Sequence, residues 1–557
     1  MEFESYFDDH HIIDLLCKYR AEWAQRRHDY VFFRNLSSCA KNPCEVDFPH
    51  QYLFPPRRSW IRPNQVGRRN RSALEINTLA LKRTIELNLR SISSSSSWLS
   101  KLRLFIEGIK SNAIYNFCYK VPEPDIFPQL KDKVKKTYRP IALYELKDRI
   151  ILSLTAKYIR EVIDKYFLRY SFAFRAPSEM NHITPTYHSA VESILQYLNR
   201  FEGKKLYVAE CDIQKFYDTV HHNIALEGLW NAILRLGNED RLDVRAILIF
   251  KSYLDSYTFK KTALTKGEKK LLSEGKDGII PWVKENELKK RYGHYKKERI
   301  GIPQGGALSI VIANLVLDAA DREIDKIKDQ DLFYARYCDD MIMIHTDKKR
   351  CEEAFETYCN SLDKLNLIIH EPKEVDEYND KFYDLKSKMP YLWTEPKGRK
   401  DAVPWISFVG YQIRYDGLIR VRETSIKKEL EKQLKITDRV IRMMNDKQQR
   451  LRKSSKQIIV SHTNKLISMS VGRRNLFTPT QSGSQFCWCS GFKLLRSNKC
   501  VMSQLKRLDR NRTKQLYRVK KLARKLNIKP INPHNRKLRL PRYYGAPFSY
   551  YSQFRKS

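Results

Sequence analysis

The run FYARYCDDMIMIHTD, Phe333 to Asp347, constrains the fold more tightly than any other stretch of this chain. Two apolar segments, LFYARYC and MIMIHT, flank the adjacent acids Asp339 and Asp340. Such segments, rich in aromatic and β-branched residues, read as strands. A buried carboxylate without a partner is too costly for the interior of a sheet. A hairpin with both acids at its tip satisfies the two demands and leaves the carboxylates free to hold a divalent cation. Mg²⁺ prefers oxygen ligands and is commonly held by one or two carboxylates together with substrate phosphates. Taken alone, an Asp-Asp pair is equally an ordinary turn former, bonding to its own backbone.

A second strand end strengthens the metal reading. KLYVAECDI reads as a short strand closing on Asp212. Acids from two strand ends would hold two ions close together, the arrangement that activates an attacking hydroxyl and stabilises a departing pyrophosphate.

The surrounding pattern is mixed. Residues 1 to about 100 read as mostly helical up to SISSSSSWLS, a serine run that is either a flexible link or a loop entering a helix near Leu99 to Ile109. In RIILSLTAKYIREVIDKYF, Ile151, Leu154, Ile159, Ile163 and Phe167 recur on or near one helical side. ISFVGYQIRYDGLIRVR alternates about Asp416-Gly417 like a β-hairpin. The Lys-rich stretch between Tyr257 and Arg299 reads as an insertion, best described as a charged surface hairpin. After Glu423 the chain reads as long helices. One apolar stripe runs through Ile426, Leu430, Leu434 and Ile441, another through Leu505, Leu508, Leu516, Val519, Leu522 and Leu526.

Charge divides the chain. There are 104 Lys and Arg against 64 Asp and Glu, net +40. From Lys427 to Ser557 there are 34 basic and 5 acidic residues, so this end carries +29 of the total. A field of that size concentrates polyanions, of which nucleic acid is the commonest. No run of 18 apolar residues suggests a membrane span. The start, MEFESYFDDHH, is acidic and has no apolar core, unlike a secretory signal. Eleven scattered Cys fit a reducing cytoplasm. Cys487, Cys489 and Cys500 form the tightest cluster, but CxC is not the usual zinc spacing and no second pair follows.

In this setting the sequence resembles the reverse transcriptases, in particular the bacterial branch of group II intron, retron and phage-defence enzymes. The resemblance rests on YRPIALYELKDRIILSLTAKYI (138–159), SFAFR (171–175), CDIQKFYDTVHH (211–222), GIPQGGALSIVIANLVLDAADREI (301–324), YCDD (337–340), LNLIIHEPK (365–373) and FVGY (408–411). It implies an α+β right-hand polymerase. Residues 101–420 would be fingers and palm, a small antiparallel sheet packed by helices, with a basic insertion at 256–300. Residues 421–557 would be a basic helical thumb and tail, and 1–100 a mostly helical N-terminal extension.

Residue by residue, the resemblance makes Asp212, Asp339 and Asp340 catalytic metal ligands, with Ile213 in the same metal site. It implies two Mg²⁺ ions, with Mn²⁺ as an alternative. Arg139 and Arg149 match residues gripping the incoming triphosphate, a task suited to guanidinium forks; as sequence, either is also a surface ion pair. Tyr217 matches the aromatic gate against a ribose 2′-hydroxyl, and equally suits a buried aromatic on a helix. Gln304 and Gly305, with Gly306, match the segment lining the nascent base pair, and Pro303 with these glycines is also a plain turn. Lys373 matches the general acid for pyrophosphate, in a residue type common on surfaces. Phe408 and Gly410 match the primer grip. The substrates implied are dNTPs and an RNA template, a structured non-coding RNA, with a DNA product held as an RNA–DNA duplex; the biological setting implied by the branch is antiviral defence. Cys338 stands where many relatives carry Ala or another small residue. No CxxC pairs follow the thumb, so a zinc-supported endonuclease is not expected, nor is an RNase H domain in a tail with five acids. Two other readings stay open: an intron maturase that mainly binds RNA, and an RNA-dependent RNA polymerase, against which Tyr217 argues.

Overall fold

The computed structural model describes residues 2–26, 32–33, 35–36, 48–62, 73–90, 96–177, 183–237, 241–446, 451–468, 473–475, 488–529, 543–545 and 547–550. The chain divides into two compact units. The first is Met1–Ile12, Phe105–Val409 and Ile413–Leu418; the second is Ile13–Leu104, Gly410–Gln412 and Ile419–Ser557.

The first unit is mixed helix and sheet. Strands β1 (Asp125–Asp132) and β2 (Thr137–Leu143) form an antiparallel hairpin, followed by the helix Leu146–Ile163. A four-stranded antiparallel sheet of order β4-β5-β3-β6 is built from β3 (Leu206–Cys211), β4 (Phe333–Tyr337), β5 (Asp340–His345) and β6 (Lys388–Trp393). β5 is buried from Met341 to His345. A strand covered on both faces has no polar alternation, which is why MIMIH is continuously apolar up to its histidine. Its cover includes the helix Lys348–Lys364, which packs on β3, β5 and β6 and on the helix Ser309–Lys326. Asp347 starts the first of these helices by accepting the Arg350 N–H at 2.9 Å, satisfying an otherwise unpaired amide of the first turn.

In the helix Leu146–Ile163 the expected apolar side is buried, but so are Ile150, Leu152 and Val162, so burial extends beyond one face. Phe3 and Tyr6 bring the extreme N-terminus into this unit by packing edge-on against Tyr158, with ring centroids 5.1 and 5.3 Å away.

The Lys-rich insertion is not a hairpin. It contains the helical segments Phe259–Leu264, Thr265–Ser273 and Glu285–Arg291. Tyr257, Phe259, Ala263, Leu271 and Ile280 join the core beneath β1 and β2, while Val283, Leu288, Tyr292 and Ile300 form a second cluster with Ile368. The lysines occupy the solvent side and mask this spaced apolar set in the sequence.

The chain passes between the units through three short strands, β7 (Trp405–Phe408), β8 (Tyr411–Arg414) and β9 (Ile419–Val421), with Asp416-Gly417 in the turn before β9 as the alternation implied.

The second unit contains the helices Asp9–Arg26 (from Ile13 onward), Ala73–Arg90, Ser97–Lys110 (to Leu104), Glu423–Asn445, Ser455–Ser468 and Lys499–Leu526. The serine run at 91–95 and Cys487 lie outside the described residues. Both expected stripes shift. On Glu423–Asn445 the buried side is Ile426, Glu429, Gln433, Ile436, Thr437, Val440, Met443 and Met444, while Leu434 is exposed. On Lys499–Leu526 it is Val501, Leu505, Leu508, Arg512, Gln515, Val519 and Ala523. Some of these polar groups find partners across the interface: Asn511 Nδ2 donates to Gln433 Oε1 at 2.7 Å, and Thr437 Oγ1 lies 3.1 Å from His462 Nε2. Phe33 and Leu36, from the N-terminal part of the chain, share the core of these helices. Among the described residues no helix is long and apolar enough to cross a membrane.

Candidate active site

Antiparallel pairing brings the acids together. β5 pairs with β4 through Tyr337 and Asp340 on one side, and with β3 through Cys211 and Met341 on the other. Asp212, one residue past Cys211, therefore lies alongside the tight turn Cys338-Asp339. Asp339 is half-buried and Asp340 exposed. Burial holds the Asp339 carboxyl above its ordinary range, the nearby Asp212 carboxylate adds to this, and Arg139 acts against it. Two carboxylates that oppose each other's ionisation make a place where a bound cation is favoured.

This donor set fits Mg²⁺ completed by water and phosphate oxygens. Among the described residues no three His, Cys, Asp or Glu side chains gather into a set that would hold an ion unaided. Ile213 is held beside Asp212 by a bridge to Ile369, with its side chain buried. Two neighbours of Asp212 had no signal in the sequence. Lys386 Nζ lies 3.2 Å from Asp212 Oδ2 and His370 Nε2 3.8 Å from the same oxygen. Burial keeps His370 below the usual imidazole range, so the cation at this carboxylate near neutral pH is Lys386.

The GIPQGG segment is laced to the segment after β3. Ile302 N–H donates to Tyr217 O at 2.7 Å and Gly301 N–H to Val220 O at 2.8 Å. Gln304 faces Asp218, donating from Nε2 to Oδ1 at 2.6 Å. Asp218 is buried, which pushes its carboxyl up to about 6 against the pull of Gln304, Lys215, Lys131 and Arg139. Lys131 and Arg139 are exposed on the β1–β2 hairpin, so three cations and one buried acid converge beside Gln304. Of these, sequence reasoning singled out only Arg139 and Gln304. Asp218 lies six residues past Asp212 in the same motif and was the one legible omission. Arg149 is half-buried on the helix Leu146–Ile163.

The glycines have distinct jobs. Gly305 has φ +90°, in the left-handed region, and a Cβ there would lie 3.2 Å from Ile141 Cγ2. A Cβ at Gly306 would fall 1.8 Å from the Tyr253 hydroxyl. Backbone contact with β2 follows, since Ala142 N–H donates to Gln304 O at 2.9 Å.

Tyr217 stands against the acidic turn, its hydroxyl 3.4 Å from Cys338 Sγ. Lys373 is exposed and pairs with Glu371 at 2.8 Å; its backbone is fixed to Ser387 and Met389. Phe408 is buried at the end of β7, and Val409 and Gly410, with φ +41° and +90°, form the two-residue turn into β8.

Residues 129–382 match the family model described as reverse transcriptase (RNA-dependent DNA polymerase). A curated relative, the putative COX1/OXI3 intron 1 protein of Saccharomyces cerevisiae, is 22% identical over 257 residues, 43% of this chain and 29% of the yeast protein. The chain thus spans less than a third of that relative's length. Solved structures with weak overall likeness include telomerase from Candida albicans in complex with a TWJ fragment of telomeric RNA (13% identity, 86% of this chain, 77% of that one, TM-score 0.31). Another is apo telomerase from Candida tropicalis (12% identity, 80% and 74%, TM-score 0.36). Likeness at these scores carries no argument.

Proposed function

We propose that this chain is a Mg²⁺-dependent RNA-directed DNA polymerase, a reading supported by the match of residues 129–382 to the reverse transcriptase family model. The observation that carries the reading is the antiparallel register that sets Asp212 beside the Asp339 turn, with Arg139 acting on the same carboxylate. In this proposal Asp212, Asp339 and Asp340, with Ile213, hold two ions, which supply charge neutralisation for the primer 3′-hydroxyl and the leaving pyrophosphate. Mn²⁺ would serve in place of Mg²⁺.

Arg139 and Arg149, joined by Lys131, bind the triphosphate. Tyr217 excludes the ribose 2′-hydroxyl, so dNTPs are the substrates. Gln304, held by Asp218, and the backbone at Gly305 line the nascent pair. Phe408 and Gly410 grip the primer end, and Lys373 protonates the leaving group once the triphosphate draws it from Glu371. Residues 101–420 would serve as fingers and palm and 421–557 as a thumb holding the RNA–DNA product through phosphate contacts, with residues 1–100 as an added helical segment. The template would be a dedicated structured non-coding RNA, and the setting a cytoplasmic defence against phage, as in the branch that the sequence motifs resemble.

The test is to sequence the nucleic acids that copurify with wild type and with an Asp339→Ala, Asp340→Ala variant. One RNA in both, with complementary DNA only in wild type, is the expected result. The same RNA in both with no DNA that depends on the aspartates would replace this reading with that of a maturase-like RNA-binding protein.

A further inference from the structure

The turn that carries Asp339 has a backbone restraint of its own. Tyr337 pairs with Asp340, so Cys338 and Asp339 form a two-residue loop, and Cys338 sits at φ +59°. L-residues other than Asn and Asp seldom adopt that conformation unless the surroundings impose it. The structure supplies an imposing group. We propose that Arg336, locked by Asp321, is a positioning residue that grips the Cys338 carbonyl and so fixes the left-handed turn presenting Asp339. This inference rests on the polymerase reading for its catalytic consequence, though not for its geometry.

Arg336 is fully buried, and each of its three guanidinium nitrogens has a partner. Nε and Nη2 donate to the two oxygens of Asp321 at 2.8 and 2.5 Å. Nη1 donates to the Cys338 carbonyl at 3.0 Å, with Asn314 Oδ1 at 3.4 Å. Asp321, equally buried, also accepts the Tyr334 hydroxyl at 2.6 Å. The strand is held from behind by Tyr170 and the motif SFAFR that follows it, which no step of the chemistry uses. Arg336 N–H donates to Tyr170 O at 2.8 Å, Phe172 N–H donates to Arg336 O at 2.9 Å, and Asn314 Nδ2 donates to Ala173 O at 2.9 Å.

Two physical points single out the turn as the purpose of this cluster. A fully buried ion pair adds little net stability over a well-packed apolar pair. A guanidinium, however, can hold a carboxylate with one edge and a carbonyl with its remaining N–H groups in a fixed plane. An ammonium cannot span both.

The experiment compares wild type, Arg336→Lys, and Arg336→Lys with Cys338→Gly in the full chain. Hydrogen exchange is read on the peptide covering Tyr337 to Met341, alongside kcat and KM for dNTP incorporation. The lysine variant should exchange faster at the turn and lose about 100-fold in kcat, the scale of a small misplacement of a catalytic group, with KM little changed. Adding glycine at 338, which takes positive φ freely, should return roughly 10-fold of the lost kcat. Turn exchange and kcat like wild type in Arg336→Lys, or no recovery with glycine, would overturn the proposal. Should the lysine variant fail to fold, the volume-matched pair Arg336→Met, Asp321→Leu takes its place. Loss of turn protection and kcat in that folded protein is expected, and retention of both overturns the idea. If wild type incorporates no dNTP, the polymerase reading fails by itself, and the exchange data still decide whether Arg336 holds the turn.

Discussion

The two units differ in how they treat the buried charged groups that bear on their faces. In the sheet unit the charged groups beside the acids are paired: Arg336 with Asp321, Asp218 with Gln304, and Glu210 with Lys388 at 2.8 Å and Tyr391 at 2.5 Å, while the buried hydroxyl without a partner there is the neutral Tyr358. In the helical unit, Glu429 Oε1 and Gln433 Nε2 are buried without hydrogen-bond partners. Burial pushes the Glu429 carboxyl up to about 7, against smaller effects of Lys432 and Gln433. The contrast teaches where fixed geometry is needed. Under the proposed function, chemistry at the acids depends on atomic placement, and the charges that support them are paired. The helical unit presents charge on exposed faces, and the duplex-holding role proposed for it needs a field and not a position. Arg510, Lys514, Tyr517, Lys521 and Arg524 recur at helical spacing on the exposed side of Lys499–Leu526.

The largest effect expected from breaking this contrast is at Asp339. Asp339→Asn should reduce dNTP incorporation by about 1000-fold, equivalent to ~4 kcal/mol of lost charge stabilisation, while RNA binding persists; primer-extension and filter-binding assays measure the two. Next comes Tyr217→Val, which opens the space beside Cys338. Discrimination against rNTPs should fall by roughly 100-fold in competition assays while dNTP incorporation continues.

A smaller and different signature is expected from the helical unit. Replacing Arg510, Lys514, Lys521 and Arg524 with Gln should weaken duplex binding and flatten its dependence on salt, by about 0.9 in log–log slope for each phosphate no longer neutralised. The rate at saturating template should hold, because no geometry at the acids changes.

The smallest effect is on stability, at Glu429. Its folded-state carboxyl is raised, so the favourable contribution of its neutral form is full at low pH and is lost as pH rises through about 7. Glu429→Gln should therefore stabilise the protein at pH 8, by about 2 kcal/mol, and by progressively less toward pH 5. Urea unfolding at both pH values checks the sign. Equal gains at both would mean that the carboxylate is not the source of the effect.

What the sequence alone determined was local. Asp212, Asp339 and Asp340 could be placed at strand ends because each ends or starts an apolar run, and a strand's period and a turn's chemistry are written within a few residues. The helices after Glu423 were legible for the same reason, and so was the charge of that region. Which face of those helices is buried was not, because Gln433 is drawn inside by Asn511, 78 positions away. Asp321 and Arg336 are ordinary charges in the sequence, and only the packing of the helix Ser309–Lys326 against the sheet makes them a pair. Lys386 was invisible among 104 basic residues, since the approach that brings it to Asp212 spans 174 positions. The lysines of residues 256–300 hid a helical core in the same way. Periodicity and turn chemistry act over one or two turns of chain; pairing between distant charges, and the choice of buried face, exist only once the chain has closed on itself.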